Sequence, residues 1–505
     1  MASKKKQHSC EWRTTATELK ASLAESEAKF QALMARVNAL EHKHALATKA
    51  LIGPKSERMP TPEEEARAKG PPPTRGGHTN PEKRAANAKA RAVLETTIVE
   101  HPIPDAEARC THCGDAVVPF KGGERSVEIE WVPGRIERRV HVVETGRCPC
   151  KMHYARGPAP PRVQEGCLYG PHFLAKLAVD KCGDAIPIYR LEKSMRRAGV
   201  PIGRSSMNDA LFIAADTLMP LWEAALCEVR EDPHVQADET SARTQTRRER
   251  SFVWTFLSKV HTVYVFAPDR SGETPRRVLG GTVGSLVVDG FTGYNKISAV
   301  DGRHRAGCWS HGRRYLFDAL GTAPEARDGL DIILELFMVE RDAIAGGLAG
   351  SFEHLELRKR VSAKIITRLE AWINERLPLH EPPSPMGVAL RYLKNQWPRL
   401  MTFLDDPLVP IHNNASEAAL RIIALFRKNS LFFRTDDSGR RLMVLYSLVA
   451  TCERHGVNPT AYLADVLIRL QDHPRDKVAE LLPHRWKKTF GSGFAADRDD
   501  PAPAG

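Results

Sequence analysis

Val235-Gln236-Ala237-Asp238-Glu239-Thr240 is the stretch from which the fold is read. Two further runs follow it, Phe252-Val253-Trp254-Thr255-Phe256-Leu257 and Thr262-Val263-Tyr264-Val265-Phe266. Runs this rich in β-branched and aromatic residues predict three consecutive strands. Ser285-Leu286-Val287-Val288-Asp289 predicts a fourth after a helical stretch, and residues 300–310 hold a candidate fifth. The order is three antiparallel strands, a helix and a parallel strand. With the first and fourth strands as neighbours, Asp238 and Asp289, each read as ending its strand, share one edge of the sheet.

Downstream, the pattern is helical from residue 313 to about 405, broken between Pro378 and Pro385, and helical again over 415–426 and 439–471. Glu417 lies in Asn413-Asn414-Ala415-Ser416-Glu417-Ala418-Ala419-Leu420-Arg421, at a predicted helix start. A helix packed on the aspartate edge adds a third carboxylate. Three converging carboxylates repel one another and raise each other's pKa values unless cations compensate them. Hard divalent ions prefer such oxygen ligands, and a pair of them suits in-line displacement at phosphorus. The competing reading is plain: Asp238 and Asp289 as turn or cap residues, Glu417 as a surface residue paired with Arg421.

Upstream, residues 170–230 read as helices: Phe173 to Lys181, Ile188 to Arg197 and Ser205 to Ala225. The last two flank Ala198-Gly199-Val200-Pro201 and resemble a helix-turn-helix. Arg196, Arg197, Arg204 and Asn208 are its candidate DNA contacts. Arg243, Arg247, Arg248 and Arg250 occupy a predicted hairpin tip suited to phosphates. Arg313, Arg314, Arg421, Arg427 and Lys428 are candidate phosphate clamps or a solvated basic face. His311, in Cys308-Trp309-Ser310-His311, either assists at a phosphate or belongs to a packed cluster.

Cys110-Thr111-His112-Cys113 and Cys148-Pro149-Cys150 are two close cysteine pairs in a chain of ten cysteines. Four thiolates suit tetrahedral, structural zinc, so Cys110, Cys113, Cys148 and Cys150 are the candidate ligands, with His112 or His153 as a substitute for one thiolate and four reduced cysteines without metal as the competing reading. Residues 53–92 carry helix-breaking prolines and glycines and a basic stretch, the signature of a linker. Before them, Leu23, Phe30, Val37 and His44 recur every seven residues, with Leu19, Ser26, Leu33, Leu40 and Ala47 alongside. That is a short coiled-coil seam for self-association or one amphipathic helix packed on its own protein.

The chain's 505 residues are 42% hydrophobic and 27% charged, enough to build packed cores. No run approaches the ~18 uninterrupted apolar residues of a membrane span, and the lysine-rich start is unlike an export signal. The net charge is +12, of which 18 basic and 12 acidic residues over 1–100 supply half. Positive charge at both ends fits a long polyanion.

These blocks together resemble the large transposase of the insertion-sequence family numbered sixty-six, a bacterial DDE transposase. The resemblance rests on Gly53-Pro54-Lys55-Ser56-Glu57, the Cys110 to Cys150 segment, Ile186-Pro187-Ile188-Tyr189-Arg190 and Ala237-Asp238-Glu239-Thr240. It continues in Asp289-Gly290-Phe291-Thr292-Gly293-Tyr294, Cys308 to Arg314, Asn413 to Arg421, Arg427-Lys428-Asn429-Ser430, Leu445-Tyr446-Ser447-Leu448 and Leu481-Leu482-Pro483. Two positions depart from the family pattern: the second cysteine pair is CxC rather than CxxC, and His412 stands where Asp is usual before Asn-Asn.

The resemblance implies an α+β multidomain protein with an RNase H-like catalytic core and a helical insertion. The expected order is a coiled coil over 15–52, a basic linker over 53–104, a zinc-binding domain over 105–165 and helix-turn-helix-like helices over 170–230. The catalytic domain follows over 234–436, with its insertion at about 320–410, and then a helical region over 437–490. Asp238, Asp289 and Glu417 are implied as the DDE triad, holding two magnesium or manganese ions. The implied reaction is strand cleavage at transposon ends and strand transfer into target DNA. Implied partners are DNA, further copies of the chain and two small companion proteins, in the bacterial cytoplasm at the nucleoid, with no membrane. A catalytically inactive end-binding regulator is the alternative.

Overall fold

The computed structural model describes residues 17–31, 33–34, 36–37, 40, 136, 145–147, 154–156, 161–200, 202–246, 249–298 and 302–490. The chain divides into two compact units. The smaller comprises Pro60–Pro160 and Arg196–Val200. Its described strands are β1 (Thr145–Arg147) and β2 (Tyr154–Arg156), an antiparallel pair. Cys110, Cys113, Cys148 and Cys150, and the linker before them, lie outside the described residues. In the larger unit, the described residues between 17 and 40 are helical and exposed, including Leu19, Leu23, Phe30, Leu33, Val37 and Leu40. The heptad face thus has no cover among the described residues.

The larger unit is built on a five-stranded mixed sheet in the order β5-β4-β3-β6-β7. Its strands are β3 (His234–Ala242), β4 (Ser251–Leu257), β5 (Thr262–Ala267), β6 (Gly284–Val287) and β7 (Arg303–Ala306). β3, β4 and β5 pair antiparallel, while β6 runs parallel to β3 and β7 parallel to β6. The predicted strand order therefore holds, with one correction. Asp238 lies in the middle of β3 rather than at its end, because β4 pairs with β3 as far as Ala242 whereas β6 stops opposite Gln236.

The helices of this region are α1 (Pro171–Cys182), α2 (Ile188–Arg197), α3 (Arg204–Glu231), which packs on β5, and the short α4 (Glu273–Leu279) before β6; others are described below. α3 runs six residues past its predicted end. By length and apolarity it is the one described helix that could cross a membrane. Here, however, Met207, Leu211, Ala214, Leu218, Leu221, Ala225 and Val229 form a helical stripe buried in the core.

After β7 the insertion begins: α5 (Trp309–Ala319), α6 (Ala326–Ala345), α7 (Ala363–Arg376) and α8 (Pro385–Leu400) surround a second core that includes Trp309, Leu316, Leu330, Leu369 and Leu393. The chain returns to the sheet through α9 (Asn414–Ala419) and α10 (Arg421–Ser430). α11 (Asp436–Arg454) and α12 (Pro459–Arg469) complete the first core.

α11 covers the β5 edge and satisfies its polar groups. The Thr262 N–H donates to Thr451 Oγ1 at 3.2 Å and the Tyr264 N–H to Ser447 Oγ at 2.8 Å. An exposed edge would otherwise be a template for aggregation. Residues 447 and 451 fall on one helix face, and both are buried. Ser447→Ala leaves the Tyr264 N–H unsatisfied, and is expected to cost about 1–3 kcal/mol of stability in denaturant unfolding.

Candidate active site

β3 and β6 pair with Gln236 opposite Val287. Two residues further on, Asp238 and Asp289 fall at the same level, at the spacing of neighbouring strands, roughly 4.8 Å. β6 and β7 pair with Val287 opposite Ala306, so the same continuation brings Cys308 to the level of Asp289. The carboxyl ends of the parallel strands thus present Asp238, Asp289 and Cys308 in a row. The turn after Asp289 is fixed by its own Oδ1, which accepts from the Phe291 N–H at 2.9 Å. Arg305, buried beneath, donates to the Asp289 carbonyl.

Glu417 arrives from the far side of the insertion. Asn413, fully buried, caps the approach: its Nδ2 donates to the Ala237 carbonyl at 2.8 Å, beside Asp238. Its N–H donates to Cys308 Sγ at 3.2 Å, and Ser416 Oγ returns to the Asn413 carbonyl at 2.9 Å. Tyr264 Oη donates to the Ala419 carbonyl at 2.7 Å, tying the end of α9 to β5. Glu417 Oε1 lies 3.8 Å from His311 Nδ1 on α5. Both atoms are buried, and neither makes a hydrogen bond. The ligand atoms of Cys308, His311 and Glu417 lie within 4.8 Å of one another.

Asp289 and Glu417 each lie near enough to Asp238 for their charge to act on it. Burial, helped by Glu239, Asp289 and Glu417, pushes Asp238 up to about 7, against the hydrogen bond its Oδ1 accepts from the Glu239 N–H. Glu239 points away from Asp238 along the pleat and is itself raised, chiefly by burial. Tyr294 Oη donates to it at 2.7 Å, and Arg270 pairs with it at 2.6 Å. Carboxylates crowded in this way, with an unpartnered oxygen on Glu417, form a donor set that fits hard divalent cations. The side chain nearest the free oxygen of Glu417 is His311 rather than Arg421.

The remaining predicted residues divide. Cys308 and Trp309 are fully buried, as the packed-cluster reading expects, and burial raises the Cys308 thiol. His311 is partly exposed and faces Glu417. His412 stacks on Phe337 of α6 with ring centroids 5.9 Å apart. Arg427 reaches back to β3, donating to the Ser241 carbonyl and hydroxyl at 2.9 Å, so its role is to position that strand; Lys428 is exposed. Arg247 and Arg248 lie outside the described residues.

Arg196, Arg197 and Arg204 are exposed, Arg204 pairing with Glu192 at 2.7 Å. Asn208 Nδ2 is engaged with the Arg204 carbonyl at 2.9 Å. Sequence reasoning missed Glu239 and the Asn413 clamp. The adjacent acids Asp238-Glu239 were the available signal for the first; for the second, the Asn-Asn motif drew attention to Asn413, but nothing marked the Ala237 carbonyl as its partner.

A mixed five-stranded sheet, interrupted by a helical insertion and gathering acids at its parallel ends, is consistent with the core of a DDE transposase. The chain belongs to the IS66 transposase family. Residues 166–441 match the family model described as "Transposase IS66 family", and residues 447–484 match the "IS66 C-terminal element". Similar proteins include the uncharacterized protein y4hP of Sinorhizobium fredii (strain NBRC 101917 / NGR234). It is 28% identical over 427 residues, covering 78% of this chain and 75% of that protein. The uncharacterized protein y4qI of the same strain is 29% identical over 412 residues, covering 76% and 74%. Membership implies transposition, DNA as a partner and the use of a divalent metal.

Proposed function

We propose that this chain cuts DNA strands at the ends of its insertion sequence and joins the freed 3′-hydroxyls to target DNA, acting in the cytoplasm at the nucleoid. The observation that supports this reading is the meeting of Asp238, Asp289 and Glu417 at the parallel strand ends, in a member of a DDE transposase family. These three side chains would hold two magnesium or manganese ions, which supply charge stabilisation at the attacking and leaving oxygens. Asn413 and Tyr264 keep Glu417 against the sheet, and Arg305 keeps the Asp289 turn in place. Glu239, sequestered by Arg270 and Tyr294, sets the local charge without competing for a ligand position.

In the same reading, Cys110, Cys113, Cys148 and Cys150 hold a structural zinc, and the exposed heptad helix joins copies of the chain. Two small companion proteins complete the assembly. Arg196, Arg197, Arg204, Arg247, Arg248 and Lys428 contact DNA phosphates. Lys428→Ala should weaken end binding about equally for all sequences and reduce the salt slope by about 1, as read by titration at several salt concentrations.

The deciding experiment incubates the full chain with labelled element-end DNA and magnesium, with the companion proteins added, beside Asp289→Asn and Glu417→Gln. Cutting that needs magnesium and disappears in both variants supports the enzyme. Unchanged cutting in the variants rejects this triad. Tight end binding with no cutting by the native chain supports the end-binding regulator instead.

A further inference from the structure

Away from the acidic edge, three metal-type side chains from distant parts of the sequence come together behind the β4–β5 hairpin. Glu228 is in the last turn of α3, His261 closes the hairpin turn, and His484 is in the first turn of a C-terminal helix, α13 (Pro483–Thr489). Their ligand atoms lie within 4.8 Å of one another. His261 Nε2 is 2.7 Å from Glu228 Oε2, and His484 Nε2 is 3.9 Å from the same oxygen. The two rings meet edge to face with centroids 5.2 Å apart.

Several features are those of a built site. His261 is fully buried, and its turn is fixed by Ser258, which donates its N–H to the His261 carbonyl at 3.0 Å and accepts the His261 N–H on its hydroxyl at 3.0 Å. Glu228 and His484 are nearly buried, with side chains 17% and 16% exposed. Arg485 takes Glu228 Oε1 and leaves Oε2 facing the imidazoles. The Nδ1 atoms of His261 and His484 are buried without hydrogen-bond partners. His261 Nε2 meets only Glu228 Oε2, and His484 Nε2, at 3.9 Å, is beyond hydrogen-bond reach of that oxygen, so both nitrogens face the carboxylate across a gap that a cation can fill.

We propose that Glu228, His261 and His484 bind one zinc ion, distinct from any metal at the carboxylates of the strand ends. Two imidazoles and a monodentate carboxylate are an ordinary zinc donor set. Tetrahedral zinc with bonds of about 2.0–2.1 Å separates its ligand atoms by roughly 3.3 Å. The 2.7 and 3.9 Å separations from Glu228 Oε2 bracket that value, and the two imidazoles lie within 4.8 Å of each other. Water takes the fourth position on the exposed side. The neighbouring cations, Arg485 and Arg454, already have partners: Arg485 holds Glu228, and Arg454 donates to the His261 carbonyl at 3.2 Å. His455 is committed to the Val260 carbonyl at 2.7 Å and stays outside the ligand set. The ion would staple the end of the C-terminal element to α3 and to the hairpin of the catalytic sheet.

The test uses the full chain, wild type beside His484→Gln and Glu228→Gln, each loaded with zinc chloride, freed of loose metal by gel filtration and analysed for bound zinc. His484 lies at the start of a surface helix, so its replacement spares the core; a circular dichroism melt without metal checks that each variant is folded. The expected result is one zinc fewer per chain in both variants than in wild type, with a zinc-dependent rise in melting temperature that is larger in wild type than in either variant. The same difference persists when Cys110, Cys113, Cys148 and Cys150 are all replaced by serine, since those thiols form a separate site. Equal zinc content and equal melting shifts in folded wild-type and variant proteins overturn the proposal. Cutting of DNA is not the readout, so failure here leaves the assignment of the triad untouched.

Discussion

Asp238→Asn is expected to abolish magnesium-dependent cutting while making the metal-free protein more stable. In the proposed role of metal ligand, its loss is put at ~10³-fold or more, since such a ligand contributes several kcal/mol to charge stabilisation in the transition state. The gain follows from the sign of the shift. Burial and the nearby acids hold Asp238 at about 7 in the folded protein, above its usual value of roughly 4. Below pH 4 the side chain is protonated in both states, and it contributes no penalty.

Between pH 4 and 7 the folded state keeps a proton that the unfolded chain has released, so stability from this group declines as pH rises. Above pH 7 the full penalty stands. Asparagine has the same shape without the charge. It should therefore raise stability by about 1–3 kcal/mol at pH 8 and leave it nearly unchanged at pH 4. Thermal melts in chelator at the two pH values check this, and a variant less stable than wild type at pH 8 would refute the electrostatic account.

Arg358→Met should be the most destabilising single change in the insertion. Arg358 is 1% exposed, in a π-helical turn between Phe352–Leu357 and α7. One nitrogen donates to the carbonyls of Phe403, Asp406 and Val409 at 2.8, 2.8 and 3.1 Å, and the guanidinium pairs with Glu340 of α6 at 2.6 Å. Removing it strands three carbonyls and leaves the half-buried Glu340 carboxylate with only His354 Nε2, at 3.3 Å, a loss of about 3–5 kcal/mol. The loop it holds leads directly to Ile411, whose carbonyl accepts the Trp309 N–H at 2.9 Å, and then to Asn413. Chemical denaturation should show the insertion loosening first. The double variant Glu340→Leu with Arg358→Met should recover part of the loss, because it also removes the stranded charge.

The strands and the order in which they pair were legible because their apolar runs are short and β-branched, with helical pattern between β5 and β6. The two aspartates were legible as acids following such runs. The position of Asp238 within β3 was not, since strand length depends on which partner extends further. Glu417 drew its meaning from its motif rather than from local pattern. The partners of Asn413, Tyr264 and Arg358 carry no local signal: each side chain acts on backbone carbonyls far away in sequence, and only the folded chain shows which ones. The cluster of Glu228, His261 and His484 was hidden for the same reason, its members belonging to three unrelated segments.

The Asn413 clamp joins residues 176 positions apart, across the whole insertion. A ribosome that has released residues up to about 400 has made every strand of the sheet, yet has not delivered the third acid. If the three acids act as proposed, a product cut short before Glu417 would be inert toward DNA, and competence to break strands would be withheld from the nascent polypeptide until the insertion has been translated.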